Sequence, residues 1–146
     1  IDPARIRAIL TPVTTGKNSL LAVELTPSLA HWFEAPTRLV TVIEYGTDER
    51  QAGDMLAAAR ATVKEAGLED EIKVLHRREV GRGLAEAAEL DELVLIGGPS
   101  TGPTAPLLGE TIPATIARGG RNPVLVIRAV EPQRAGRFER AFFGRR

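Results

Sequence analysis

The chain has 146 residues, 43% of them hydrophobic and 26% charged, with 19 basic and 19 acidic side chains and a formal net charge of zero. That is enough chain for one globular domain with a sizeable core, and too little for two comfortable ones. The charge balance gives no broad basic footprint for nucleic acid, and the absence of cysteine excludes disulfides, thiolate metal sites and a cysteine nucleophile.

No apolar run approaches the ~20 residues needed to span a bilayer, and no signal peptide is present. The expectation is a cytoplasmic protein, either free or as the soluble domain of a membrane protein. The start at Ile1-Asp2-Pro3 without an initiator Met fits a trimmed start or a domain cut from a larger chain.

In chain order, Arg5–Val13 carries Ile9 and Leu10 in a short apolar run and reads as a buried central strand. Residues 14–19 (TTGKNS) turn the chain, with Asn18 or Ser19 as the expected helix N-cap. The next helix places Leu21, Leu25, Leu29 and Trp32 on one face, and Pro27 is expected to kink or restart it. Arg38–Glu44 is a second strand. Thr47 or Asp48 caps a second helix that runs to Ala66, with Met55, Leu56, Ala59 and Val63 inward and Gly67 as its stop.

Glu71–Leu75 alternates like a strand near a sheet edge. Gly81–Leu90 reads as a short Ala-rich helix. Leu93–Ile96 is a fourth strand, which enters a Gly/Pro/Thr-rich loop; a helix opens near Thr111 and leads to a fifth strand, Val124–Ile127. Five strands alternating with helices imply an α/β fold, an open doubly wound parallel sheet with helices on both faces. The domain is expected over residues 1–130. Residues 131–146 form a separate tail with five Arg against two Glu and with Phe138, Phe142 and Phe143. Basic and aromatic together suit packing on the domain, or docking on a membrane surface or a parent protein.

Ile9-Leu10-Thr11-Pro12-Val13, Asn18-Ser19-Leu20-Leu21-Ala22, Leu39–Glu44, Leu93–Gly97 and Pro123–Arg128 together resemble the universal stress protein family over nearly the whole chain. The resemblance implies strand order 3-2-1-4-5, the adenine nucleotide alpha-hydrolase-like arrangement, and a homodimer paired through the fifth strand, Pro123–Ala129. It implies a binding and signalling role rather than an enzyme. Members of that family that hold ATP carry glycines at fixed spacing and a final hydroxyl after the fourth strand. That pattern falls here on Gly97, Ser100, Glu110 and Thr111, so one glycine and the hydroxyl match while two glycines do not. Where nucleotide-binding members have an Asp after the first strand, this chain has Thr14.

The implied ligand is ATP, AMP or cyclic di-AMP, seated over the carboxyl ends of the first and fourth strands. Val13, Thr14 and Val42 face adenine and ribose in that reading, and Gly97, Gly98, Ser100, Gly102, Thr111 and Ile112 cradle the phosphates. No metal site is expected, because neither His31 nor His76 has a ligand at metal spacing. The alternative is a nucleotide-free regulatory domain of an amino-acid or cation transporter. Gly109-Glu110-Thr111-Ile112-Pro113 with Ile116-Ala117-Arg118 resembles that subgroup.

Overall fold

The computed structural model describes residues 2–98, 112–119 and 122–130. After a 3₁₀ turn at Pro3–Arg5, the elements are β1 (Ala8–Pro12), α1 (Lys17–Phe33), β2 (Thr37–Glu44), α2 (Glu49–Glu65), β3 (Ile72–Arg77), α3 (Val80–Ala87), β4 (Glu92–Gly97), α4 (Ile112–Arg118) and β5 (Val124–Ile127). All strands are parallel, in the order β3-β2-β1-β4-β5. The chain steps from β1 to β2 and β3 on one side, then crosses to β4 on the other. The switch point therefore lies between the carboxyl ends of β1 and β4, where open α/β sheets form their crevice.

Alternation along the strands divides the core between the two faces of the sheet. Leu10, Val40, Val42, Leu75, Val94 and Ile96 pack under α3 and α4 with Leu84 and Ile116. On the opposite face, Ile9, Leu93 and Leu95 meet Ala22, Leu29 and Phe33 of α1. Val13 and Leu39 meet Val23 of α1 and Ala59 and Val63 of α2. β1 has four consecutive buried residues, as a strand covered on both sides should.

Several expectations about the helices are corrected. Helix α1 begins at Lys17 with Gly16 as its N-cap, so neither Asn18 nor Ser19 caps it, and it runs through Pro27 without a break. Its buried stripe is Ser19, Ala22, Val23 and Thr26, whereas Trp32 is 77% exposed. Small residues win that stripe because α1 lies close against the sheet, and the buried hydroxyls are satisfied in series. Thr26 Oγ1 donates to Ala22 O at 2.8 Å and stands 2.9 Å from Thr11 Oγ1, which leaves Thr11 as the donor in that pair. On α2, Met55 is 37% exposed and the inward set is Ala59, Thr62 and Val63. Helix α3 stops at Ala87, leaving Leu90 exposed.

The predicted ends of α2 hold. Asp48 accepts from Gln51 N–H at 2.7 Å. At the other end Leu68 N–H reaches Val63 O, Gly67 N–H reaches Lys64 O, and Gly67 has φ 79°. These are the two bonds and the left-handed residue of a Schellman motif.

At the amino ends of the strands sits a charge pair that opens two buried runs. Arg38 on β2 donates to both carboxylate oxygens of Glu92 on β4, at 3.0 and 2.6 Å, and to Ala87 O at 2.9 Å. Glu92 is 1% exposed and also accepts from Glu89 N–H; Asn122 Nδ2 donates to Glu89 O and Glu92 O. The network closes the carboxyl end of α3 with a cation, where the helix dipole favours one. Its hydrogen bonds to Glu92 raise the Arg38 pKa above its ordinary value, against a smaller opposing effect of burial.

Candidate functional site

The site grows from the turn between β1 and α1. Gly16 has φ 96° and ψ 168°, a conformation that strains any residue with a Cβ, and it provides no side chain to cap α1. Helix α1 therefore presents its amino terminus with neither a side-chain cap nor an acidic residue in the first turn. A 17-residue helix carries about half a positive charge there. This terminus lies at the switch point, beside the end of β4.

The turn is held from three sides. Thr14 N–H donates to Ser19 Oγ at 2.9 Å, and Thr62 Oγ1 on α2 donates to Thr14 O at 2.8 Å. Asn18 Nδ2 donates to Gly98 O at 2.8 Å, and Asn18 Oδ1 accepts from Ala129 N–H at 2.8 Å. Gly97 has no room for a side chain: a Cβ there would stand 2.6 Å from Asn18 C and Ser19 N. The first turn of α1 is thus seated directly on the end of β4. Beyond it, Gly98 N–H donates to Ile127 O at 2.7 Å and ties the end of β4 to β5.

The sequence-predicted site residues divide accordingly. Thr14, Gly97 and Gly98 meet around the start of α1, and Thr14 is exposed. The side chains of Val13 and Val42 are packed in the core on opposite faces of the sheet. Ile112 is the first residue of α4 and is partly exposed. Ser100, Gly102 and Thr111 lie outside the described residues. Sequence reasoning missed Asn18 as a bridge and Thr62 as a brace, because their partners lie 80, 111 and 48 residues away.

A second concavity of about 640 Å³ lies between α3 and α4, lined by residues that include Arg82, Glu86, Thr115 and Asn122, and it shares no residue with the predicted set. Among the described residues, no group of three or more His, Asp or Glu is placed to hold a metal ion. Also among them, no helix is long and apolar enough to cross a membrane.

No family model and no curated protein matches the chain. Solved structures do. A universal stress protein in complex with cAMP is 22% identical with a TM-score of 0.58, over 84% of this chain and 97% of that one. A universal stress protein from Archaeoglobus fulgidus is 18% identical with a TM-score of 0.61, over 83% and 93%. The universal stress protein from Archaeoglobus fulgidus in complex with dAMP is 17% identical with a TM-score of 0.57, over 84% and 97%. With 83–84% of this chain and 93–97% of those chains covered, this chain carries the universal stress protein fold.

Proposed function

We propose that the chain is a regulatory binding domain that takes an adenine nucleotide over the carboxyl ends of β1 and β4. The observation that carries this reading is the amino terminus of α1 at the switch point, which among the described residues has no side-chain cap and has Lys17 in its first turn. Such a terminus favours an anion through both its dipole and its first-turn donors. Structures of the same fold hold cAMP and dAMP, which supports an adenylate as the anion's carrier. AMP, ATP and cyclic di-AMP are the ligands to try first. The role is sensing rather than turnover, since Thr14 offers no carboxylate at the end of β1.

Pairing with a second copy is proposed through β5. It is the outermost strand of the described sheet, with Leu125 39% and Val126 40% exposed. Unpaired edges of this kind favour strand addition. The rival reading is a nucleotide-free module of a transporter, in which the basic segment 131–146 contacts the parent protein or an anionic membrane surface.

One experiment separates the two. Freshly purified protein is denatured and its extract analysed for nucleotide by mass spectrometry; the protein is then titrated with AMP, ATP and cyclic di-AMP by calorimetry. Micromolar binding of one of them supports the nucleotide reading. An empty extract with no heat at millimolar ligand overturns it and leaves the transporter module.

A further inference from the structure

The Asn18 side chain hydrogen-bonds both the end of β4, at Gly98 O, and the backbone after β5, at Ala129 N–H, and its chemistry fits that task closely. A backbone carbonyl can only accept and a backbone N–H can only donate. The Gly98 carbonyl and the Ala129 amide therefore need one donor and one acceptor, and a single planar amide supplies both. The partner atoms fix which way the amide faces. An aspartate has no donor for Gly98 O, and a serine hydroxyl is too short to span both ends. Its anchor is equally fixed, because the backbone at Asn18 abuts Gly97 with no space for even a methyl group.

Two segments leave the described sheet at this amide: residues 99–111 just after Gly98, and residues 131–146 just after Val130. We propose that Asn18 is a coupling residue that carries the joining of β4 and β5 one step past their last backbone bond, Gly98 N–H to Ile127 O, by linking Gly98 O to Ala129 N–H. A displacement of Gly98 rotates or translates the amide and so moves the acceptor of Ala129 N–H. The ligand-dependent half of this idea rests on the nucleotide reading above: an adenylate taken up over the carboxyl ends of β1 and β4 reports through Asn18 to the β5 edge. Asn18 acts by positioning, without touching the ligand itself.

The test has an arm without ligand and an arm with AMP. Amide hydrogen exchange at Ala129 is followed by NMR in the wild type, Asn18→Asp and Asn18→Leu. Asn18→Asp keeps the acceptor for Ala129 but sets a carboxylate oxygen against Gly98 O. Asn18→Leu removes both bonds at similar volume, and Asn18→Ser replaces it should it fail to fold. Coupling requires Ala129 exchange to accelerate about tenfold in both variants, the effect of losing one hydrogen bond. Ala129 protection kept in Asn18→Asp and lost only in Asn18→Leu makes the two ends independent and overturns the proposal. With saturating AMP, the wild type is expected to change exchange at Val126 and Ala129 while Asn18→Leu, which adds no charge to the first turn of α1, binds AMP without that change. An equal change in both overturns the proposal. If the wild type binds none of AMP, ATP and cyclic di-AMP, the nucleotide reading fails and the ligand-free comparison decides the coupling.

Discussion

Gly97 and Gly98 are adjacent, both lie at the predicted phosphate cradle, and the structure assigns them opposite sensitivities. A Cβ on Gly97 would meet Asn18 C and Ser19 N at 2.6 Å and Asn18 O at 2.8 Å. All three are backbone atoms in the first turn of a helix whose buried stripe is already close to the sheet. Relief requires moving α1 off β4, which strains the contacts of Ala22 with Leu93 and Leu95. Overpacking of this kind costs about 1–3 kcal/mol, and the upper half of that range is expected here. For a chain of this length Gly97→Ala should therefore lower Tm by roughly 4–12 °C. A Cβ on Gly98 meets Arg128 Cγ and Nε at 2.9 Å and Val126 Cγ1 at 3.1 Å. Arg128 is exposed and can swing away, so Gly98→Ala should cost less than about 1 kcal/mol. Thermal and urea unfolding of the two variants side by side measures the difference. Equal losses, or the larger loss in Gly98→Ala, would refute the claim that α1 rests on Gly97.

Three further predictions use other parts of the structure. Lys17→Glu replaces a cation with an anion in the first turn of α1, so it should raise stability by about 0.3–1 kcal/mol while weakening AMP roughly three- to tenfold at physiological salt; paired unfolding and calorimetry check the opposite signs, and unchanged affinity would place the phosphate elsewhere. Arg38→Met strands the buried Glu92 carboxylate and should cost about 3–5 kcal/mol, whereas Arg38→Met with Glu92→Leu should recover most of that loss; urea midpoints of the two variants decide it. The raised Arg38 pKa means that the guanidinium is charged at every pH below its ordinary value, so this cost should not vary between pH 6 and 9 on account of Arg38. Thr62→Val removes the brace from α2 to Thr14 O at nearly constant volume and should cost about 1 kcal/mol, seen as a Tm drop of about 2–4 °C.

The sheet was legible because each central strand is a run of apolar residues bounded by turn chemistry. β5 falls on the four residues expected, Val124–Ile127, and β3 takes the edge position that its alternating pattern suggests. Asp48 and Gly67 end α2 through local bonds, which is why a local reading finds them. The stripe of α1 was misjudged for a physical reason. Hydrophobic spacing marks Leu21, Leu25, Leu29 and Trp32, but close approach to the sheet selects small side chains, and Ser19, Ala22 and Thr26 carry little hydrophobic signal. Arg38 and Glu92 stand 54 residues apart, each a charge opening an apolar run, and only the register across β1 brings them together.

The packing at Gly97 also changes how the glycine pattern after β4 bears on function. A glycine in a phosphate loop is usually explained by close approach of backbone to ligand, and by that logic its retention here would argue for a nucleotide. In this chain Gly97 is required by the seat of α1 whether or not anything binds, so its presence cannot distinguish a working site from a vestigial one. The same clash makes Gly97→Val a poor binding probe, since a lost ligand and a displaced helix would look alike. What bears on binding is the part of the site that folding does not need. Gly16 is explained by its own φ of 96°, which the turn imposes whether or not anything binds, whereas Lys17 adds a like charge to the positive end of the dipole. That charge costs stability and favours an anion. Lys17→Glu is therefore the substitution on which folding and anion binding disagree.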